Sequence, residues 1–284
     1  MYPLLFGVWP SYLAMWAVAA VIGLGGALLV ARRHDFPVGR TFIAIGCALL
    51  SAVLGSKLLY LAESWVYPNE DDVPIAIRNA AHGFRIPGGV LLVAMTTVPV
   101  CRLLALDWRR FGDAMVPLFP LGLVCVRVGC FLNGCCFGMP TGSALGVTFP
   151  RGTWVHFFQR QNGWIAKTAD QSLPVHPLQL YFAFAALAIL IALLLVGRKN
   201  REKSLWTGER QFLFYFLFFA TSLPLEWMRA NPLTANRVLE LGGLAIFGGL
   251  WAGTRMRPVA PTTASSALPA GRIMGPNPRR QAQL

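Results

Sequence analysis

Seven stretches of predominantly apolar residues follow one another along the chain, with approximate limits 10–31, 41–62, 86–106, 114–138, 178–197, 210–228 and 237–254. Each approaches the roughly 20 residues that a helix needs to cross about 30 Å of hydrocarbon. The runs are continuous rather than alternating in polarity, which argues against a transmembrane barrel and its short alternating strands. The pattern predicts an all-α polytopic membrane protein with seven transmembrane helices.

The polar residues between the runs predict its orientation. Arg32, Arg33 and Arg40 follow the first run, and Arg102, Arg109 and Arg110 follow the third. Arg198, Lys199, Arg201, Lys203 and Arg210 surround the fifth connection, and Arg255, Arg257, Arg272, Arg279 and Arg280 lie in the tail. The connection after the second run carries Glu63, Glu70, Asp71 and Asp72 instead. Basic connections stay cytoplasmic, so the N-terminus is expected outside and the C-terminus inside. The first run has no Lys or Arg before it and no small-residue cleavage site, so it reads as a retained helix rather than a signal peptide.

Two outer loops, 63–85 and 139–176, are long enough to hold a small periplasmic cap, with a strand-like stretch at Leu145–Phe149 and an amphipathic patch at Trp154–Phe158. Residues 1–257 are expected to form the transmembrane domain. Residues 258–284, rich in Pro, Ala, Ser and Arg without apolar periodicity, read as a disordered basic cytoplasmic tail. No repeat of fixed period is evident, which argues against a transporter built from inverted repeats.

Composition narrows the function further. The 284 residues are 55% hydrophobic and 13% charged, against about 25% charged in soluble domains, which excludes a soluble enzyme. The net charge of +13 sits between apolar runs, so it reports membrane topology rather than nucleic-acid binding. Six cysteines lie mostly inside apolar stretches, where a free thiol behaves as a small hydrophobe. They imply no secreted disulfide framework.

Arg127 is the main candidate for chemistry, being the only charged residue between Asp113 and Arg151. It lies fourteen residues after Asp113, about 21 Å along a helix, and a central arginine costs roughly 2.5–3.5 kcal/mol to insert unless it faces a polar interior. Its planar fork suits a phosphate; the alternative partner is Glu226 in a buried ion pair. Glu226 and Arg229 also share a helix face beside Pro224 and are expected to pair with each other. Lys57 can snorkel to the outer headgroups, while Asn133 and Gln179 suit either a headgroup or a helix–helix contact. Trp9, Trp16, Trp65 and Tyr67 read as interface anchors.

Cys130, Cys135 and Cys136 form a Cys-x4-Cys-Cys cluster beside Arg127. Zinc binding, a disulfide and a thiol relay are all readings of such a cluster. The spacing is not Cys-x2-Cys, no His or Asp lies nearby in sequence, and adjacent cysteines rarely ligate one ion together. The favoured expectation is therefore small thiols that permit close packing with Gly129, Gly134 and Gly138.

The run Arg127-Val128-Gly129-Cys130-Phe131-Leu132-Asn133-Gly134-Cys135 is followed by Gly138-Met139-Pro140-Thr141 and Gly146-Val147-Thr148-Phe149-Pro150. It resembles the signature of the prolipoprotein diacylglyceryl transferase family, Arg-x-Gly-Asn-Phe-x-Asn-Gly-Glu followed by Gly-x-Pro-Thr and Gly-x-x-Phe-Pro. Asp113 and Pro117 precede it at similar spacings. His176-Pro177-Leu178-Gln179-Leu180-Tyr181 is similar to the family's His-Pro-x-Gln-Leu-Tyr-Glu, Pro87-Gly88-Gly89 falls where His-Gly-Gly is usual, and Glu226 and Arg229 resemble its Glu-x-x-Arg. The resemblance covers roughly residues 10–255.

That resemblance implies a bacterial inner-membrane enzyme. It would move the diacylglyceryl group of phosphatidylglycerol onto the lipobox cysteine thiol of a preprolipoprotein signal peptide, releasing glycerol phosphate. The implied catalytic residues are Arg127 and His176; the implied binding residues are Arg127, Asn133, Gly88, Gly89, Gln179, Tyr181, Glu226 and Arg229. The implied partners are phosphatidylglycerol, the preprolipoprotein and membrane lipid, with no nucleic acid, metal or organic cofactor. His176 reads either as a base or simply as the residue before Pro177 at the start of the fifth helix. The chain departs from the pattern at Pro87 (family His), Cys130 (Asn), Cys135 (Glu), Phe182 (Glu) and Ser222 (Arg). Arg229, Arg85 and His82 stand where they could replace lost charge. The departures also suit a noncatalytic lipid-binding or thiol-redox paralogue on the same scaffold.

Overall fold

The computed structural model describes residues 4–5, 9–66, 85–202, 208–230 and 234–256. Glu70, Asp71, Asp72, Tyr67, His82 and the tail from residue 258 lie outside the described residues. A two-residue antiparallel pair, β1 (Leu4–Leu5) with β2 (Trp9–Pro10), precedes the helices. These are α1 (Ser11–Arg33), α2 (Val38–Val66), α3 (Ile86–Leu103), α4 (Trp108–Met115), α5 (Leu118–Asn133), α6 (Trp154–Gln161), α7 (Leu178–Glu202), α8 (Glu209–Trp227) and α9 (Thr234–Met256).

All seven apolar runs fall on helices. Five segments, Ser11–Arg33, Val38–Ala62, Ile86–Leu103, Trp108–Asn133 and Leu178–Arg198, are long and apolar enough to cross a membrane, which makes the chain a multi-pass membrane protein. The last two runs are helical as α8 and α9, but Arg210 and Glu226 in one and Arg237 and Glu240 in the other dilute their apolar character. The fourth run is shorter at its far end than expected. α5 stops at Asn133 because Gly134 takes a left-handed turn, φ 70°, and its amide caps the carbonyls of Cys130 and Phe131.

Neighbour contacts run in a circuit: α1 against α5, α5 against α7, α7 against α8, α8 against α9, α9 against α3, α3 against α2, and α2 against α1. The closest of these contacts use small residues, as expected where lipid removes any hydrophobic drive between helices. A Cβ on Gly55 would collide with the Gly88 carbonyl, a Cβ on Gly88 with the Gly55 carbonyl, and a Cβ on Gly89 with the Ser56 hydroxyl. Thr96 Oγ1 donates to Ser51 Oγ across the same α2–α3 seam at 3.0 Å. Gly129 brings α5 onto α1, where an added Cβ would lie 2.9 Å from that of Met15.

Asp113 explains how α8 begins. Its buried carboxylate accepts from the amides of Gly208 at 2.9 Å, Arg210 at 3.0 Å and Gln211 at 3.2 Å. A helix start leaves such donors without partners, and here an aspartate from α4 satisfies them.

The segment between α5 and α7 is folded over the ends of the helices. Gly138 N donates to His176 O at 2.9 Å and Met139 N to Met228 O at 2.8 Å, while Phe149, Val155 and Val175 form a core with Phe131, Phe137 and Val147. The expected patch at Trp154–Phe158 is α6. The expected strand at Leu145–Phe149 is instead a set of isolated bridges, Val147 with Val175 and Pro150 with Gln171. Pro140, Pro150 and Pro174 interrupt the segment, and proline supplies no amide to continue a ladder.

Candidate lipid-headgroup site

Arg127 stands six residues before the end of α5, about 9 Å along the axis. Val116 and Pro117, between α4 and α5, keep right-handed helical dihedrals, so Trp108–Asn133 runs on as one span with Arg127 inside it. Its side chain is held under the cap, only 6% exposed, and it lines a cavity of about 230 Å³. Arg85, Ile86 and Pro87 at the start of α3 form one wall; Phe182 of α7 and Phe218, Ser222 and Glu226 of α8 form another. Cys136, Phe137 and Phe158 close it from the cap, with Arg229, Ala230 and Glu240 completing the lining.

The charge of Arg127 is supported by a ring rather than by an anion. Its Cζ lies 4.2 Å from the centroid of Phe182, a cation–π contact worth about 2 kcal/mol where water is excluded. The alternative partner named above, Glu226, is engaged elsewhere: Arg229 Nε donates to Glu226 Oε2 at 2.9 Å, the expected pairing on one face of the helix end. Among the described residues, Arg127 has no carboxylate in ion-pair range.

Arg229 is placed by the cap, through a bridge to Gly138. Burial works against its charge, but the Glu226 carboxylate and Cys136 beside it more than compensate and raise its pKa above the usual arginine value. Arg85 precedes α3, where its amide donates to Ser56 O at 3.1 Å and its guanidinium lies 5.5 Å from the Tyr60 ring centroid.

Of the residues named from sequence, Arg127, Glu226 and Arg229 meet at the cavity; so does Arg85, named there as a substitute charge. Gly88 and Gly89 stand at the α2–α3 seam, and Asn133 is the last residue of α5. His176 Nδ1 lies 3.4 Å from Tyr181 Oη, and Gln179 donates from Nε2 to the Cys135 carbonyl at 2.6 Å. None of these six is among the cavity-lining residues. Three departures from the family pattern, Pro87, Phe182 and Ser222, do line it.

Glu240 is the residue that sequence reasoning missed. It is 1% exposed, lines the cavity from α9 beside Ser222, and its Oε2 has no hydrogen-bond partner among the described residues. The signal was present: an acid four residues into the last apolar run obeys the same rule that singled out Arg127. Arg237, three residues earlier on α9, stacks at 3.9 Å on Trp227.

The three clustered cysteines also converge. The sulfurs of Cys130, Cys135 and Cys136 lie within 4.8 Å of one another, all as free thiols. Cys136 has a left-handed backbone, φ 59°, that turns the chain sharply after Cys135.

Comparison with known proteins finds relatives over most of the chain. The family profile described as prolipoprotein diacylglyceryl transferase matches residues 3–253. Phosphatidylglycerol–prolipoprotein diacylglyceryl transferase 2 of Clostridium perfringens is 26% identical over 228 residues, 78% of this chain and 81% of the relative. The phosphatidylglycerol–prolipoprotein diacylglyceryl transferase of Clostridium tetani is 25% identical over 236 residues, 82% of this chain and 87% of its own length. That of Nitrosomonas europaea is 32% identical over 168 residues, covering 58% of this chain and 53% of the relative.

Proposed function

The chain belongs to the prolipoprotein diacylglyceryl transferase family, and from that premise we propose that it transfers the diacylglyceryl group of phosphatidylglycerol to the lipobox cysteine of a preprolipoprotein in the bacterial inner membrane. The observation that carries this reading is Arg127: a guanidinium nearly out of solvent, facing a cavity, with no carboxylate in ion-pair range among the described residues. Burying such a charge is costly unless an anion arrives to meet it. A lipid phosphate is the anion available within a membrane.

The reaction needs a thiolate to attack the glycerol carbon while the carbon–oxygen bond to phosphate breaks. Negative charge grows on the departing phosphate, so fixed cations beside it lower the barrier more than they stabilise bound substrate. Arg127 grips the phosphate, and Arg229 and Arg85 share the charge. Glu240, with its unpartnered oxygen, accepts the thiol proton. At about 230 Å³ the cavity is smaller than the roughly 300–1,000 Å³ of drug-sized sites, which suits a glycerophosphate headgroup whose acyl chains remain in the bilayer. Seven spans, an outer N-terminus, a cytoplasmic C-terminus and a periplasmic cap formed by residues 139–176 would put this cavity on the side where preprolipoproteins emerge.

A second reading has its own support. Pro87, Phe182 and Ser222 remove ionisable family groups from the cavity wall itself, as a noncatalytic lipid-binding paralogue would. Membranes containing the protein, supplied with acyl-labelled phosphatidylglycerol and a lipobox peptide, separate the two. Thioether-linked label on the peptide is expected. An unmodified peptide, from well-expressed protein that still binds the lipid, rejects the transferase and leaves the paralogue.

A further inference from the structure

We propose that Cys130, Cys135 and Cys136 bind a zinc ion through three thiolates, leaving its fourth position open toward the cavity for the acceptor thiol. The proposal deepens the transferase reading and rests on it for the identity of that thiol.

Three observations carry it. First, the sulfurs lie within 4.8 Å of one another, and tetrahedral zinc–thiolate bonds of about 2.3 Å would place them about 3.8 Å apart. Only a small closing movement is needed. Second, the frame is already built. Cys130 occupies the last turn of α5, the Cys135 amide donates to the Cys130 carbonyl at 3.1 Å, and Gln179 holds the Cys135 carbonyl at 2.6 Å. Although adjacent cysteines rarely ligate one ion together, here the left-handed Cys136 follows Cys135 and both sulfurs converge with that of Cys130. Third, the trio is joined to the cavity, because Cys136 lines the same space as Arg127, Arg229 and Glu240.

Charge closes as well. Three thiolates and a divalent ion carry one net negative charge, and a fourth thiolate makes it two, beside the guanidiniums of Arg127 and Arg229. A three-ligand zinc with an open position is the arrangement of a catalytic site rather than a closed structural one. Its use here is specific. An unperturbed thiol, with pKa about 8.5, is mostly protonated near neutrality, and coordination to zinc deprotonates it outright. The proton passes to Glu240, the zinc-bound sulfur forms its bond to the glycerol carbon, and the electron pair of the broken carbon–oxygen bond leaves with glycerol phosphate. The thioether binds zinc more weakly than a thiolate and departs. No oxidant or reductant enters.

The test uses the full chain in detergent, reduced, stripped by chelator and titrated with Co²⁺ and then Zn²⁺. One Co²⁺ per chain is expected, with thiolate-to-cobalt charge-transfer absorption and the intense visible bands of a tetrahedral ion, both abolished by Zn²⁺. A lipobox peptide should alter the cobalt spectrum and its serine counterpart should not. Cys130→Ser and Cys136→Ser should each lose most of the charge-transfer signal, whereas Cys125→Ser, a thiol of α5 outside the trio, should keep it. Three thiols that react fully with a thiol reagent in the presence of Zn²⁺, or a disulfide detected by mass, would overturn the proposal without any variant being made. Stoichiometric metal and a peptide-sensitive spectrum without transfer would reject the transferase reading and uphold the ion site. Transfer unchanged by removal of the metal would uphold the transferase reading and overturn the proposed part of the ion in it.

Discussion

At the scale of the residue, the cavity is defined by what stands beside Arg127. An aromatic ring supports the guanidinium without neutralising it, so the full charge remains for a phosphate. Arg127→Ala should lower transfer by about 10²–10³-fold or more, the usual loss when one preorganised charge-stabilising donor is removed. Arg127→Lys should fall between, because lysine keeps the charge but lacks the fork and the flat face that meets Phe182. Initial rates of labelled diacylglyceryl transfer in matched membranes measure both, and an Arg127→Ala protein with full activity removes this residue from the site. Arg127 was legible because a lone cation in an apolar run is costly. Its partner ring was not, since nothing in the spacing of residues 127 and 182 brings α5 against α7. His176 shows the opposite case: a titratable side chain in a recognisable motif whose ring meets Tyr181 rather than the cavity lining.

At the scale of the element, small residues and caps decide how the helices meet. Gly88 and Gly89 resemble a binding motif in sequence, and the structure puts them to use letting α2 and α3 touch. Asp113 reaches from α4 to three amides at the start of α8, so it holds the helix that carries Ser222 and Glu226. Asp113→Ala leaves those donors unpaired at a buried site and should cost about 2 kcal/mol or more, read as a lower melting temperature of the detergent-solubilised protein. Asp113→Asn, which still accepts hydrogen bonds, should recover part of it. An unchanged melting temperature in the alanine variant would show that the contact does not anchor α8. The aspartate stood out in sequence only by its spacing from Arg127, because its three partners lie about a hundred residues downstream.

At the scale of the whole molecule, orientation follows from the charges of the connections. Reporter fusions after α1 and after α7 should be active on the cytoplasmic side, and fusions after α2 and after α8 on the outer side; the inverse pattern would place the cap and the cavity on the wrong face for an emerging preprolipoprotein. The sequence alone determined that the protein is a helical, multi-pass membrane protein, because helix length, apolar continuity and charge in the connections are local properties that lipid reads segment by segment. It also singled out Arg127 and the pairing of Glu226 with Arg229, since intramembrane charge and three-residue helical spacing need no fold to be noticed. Only the tertiary structure decided that Glu240 faces the same space, that Phe182 rather than a carboxylate meets Arg127, and that three thiols converge beside them. Those are contacts between helices far apart in the chain, and close packing around a ring sets them, not the period of any one helix.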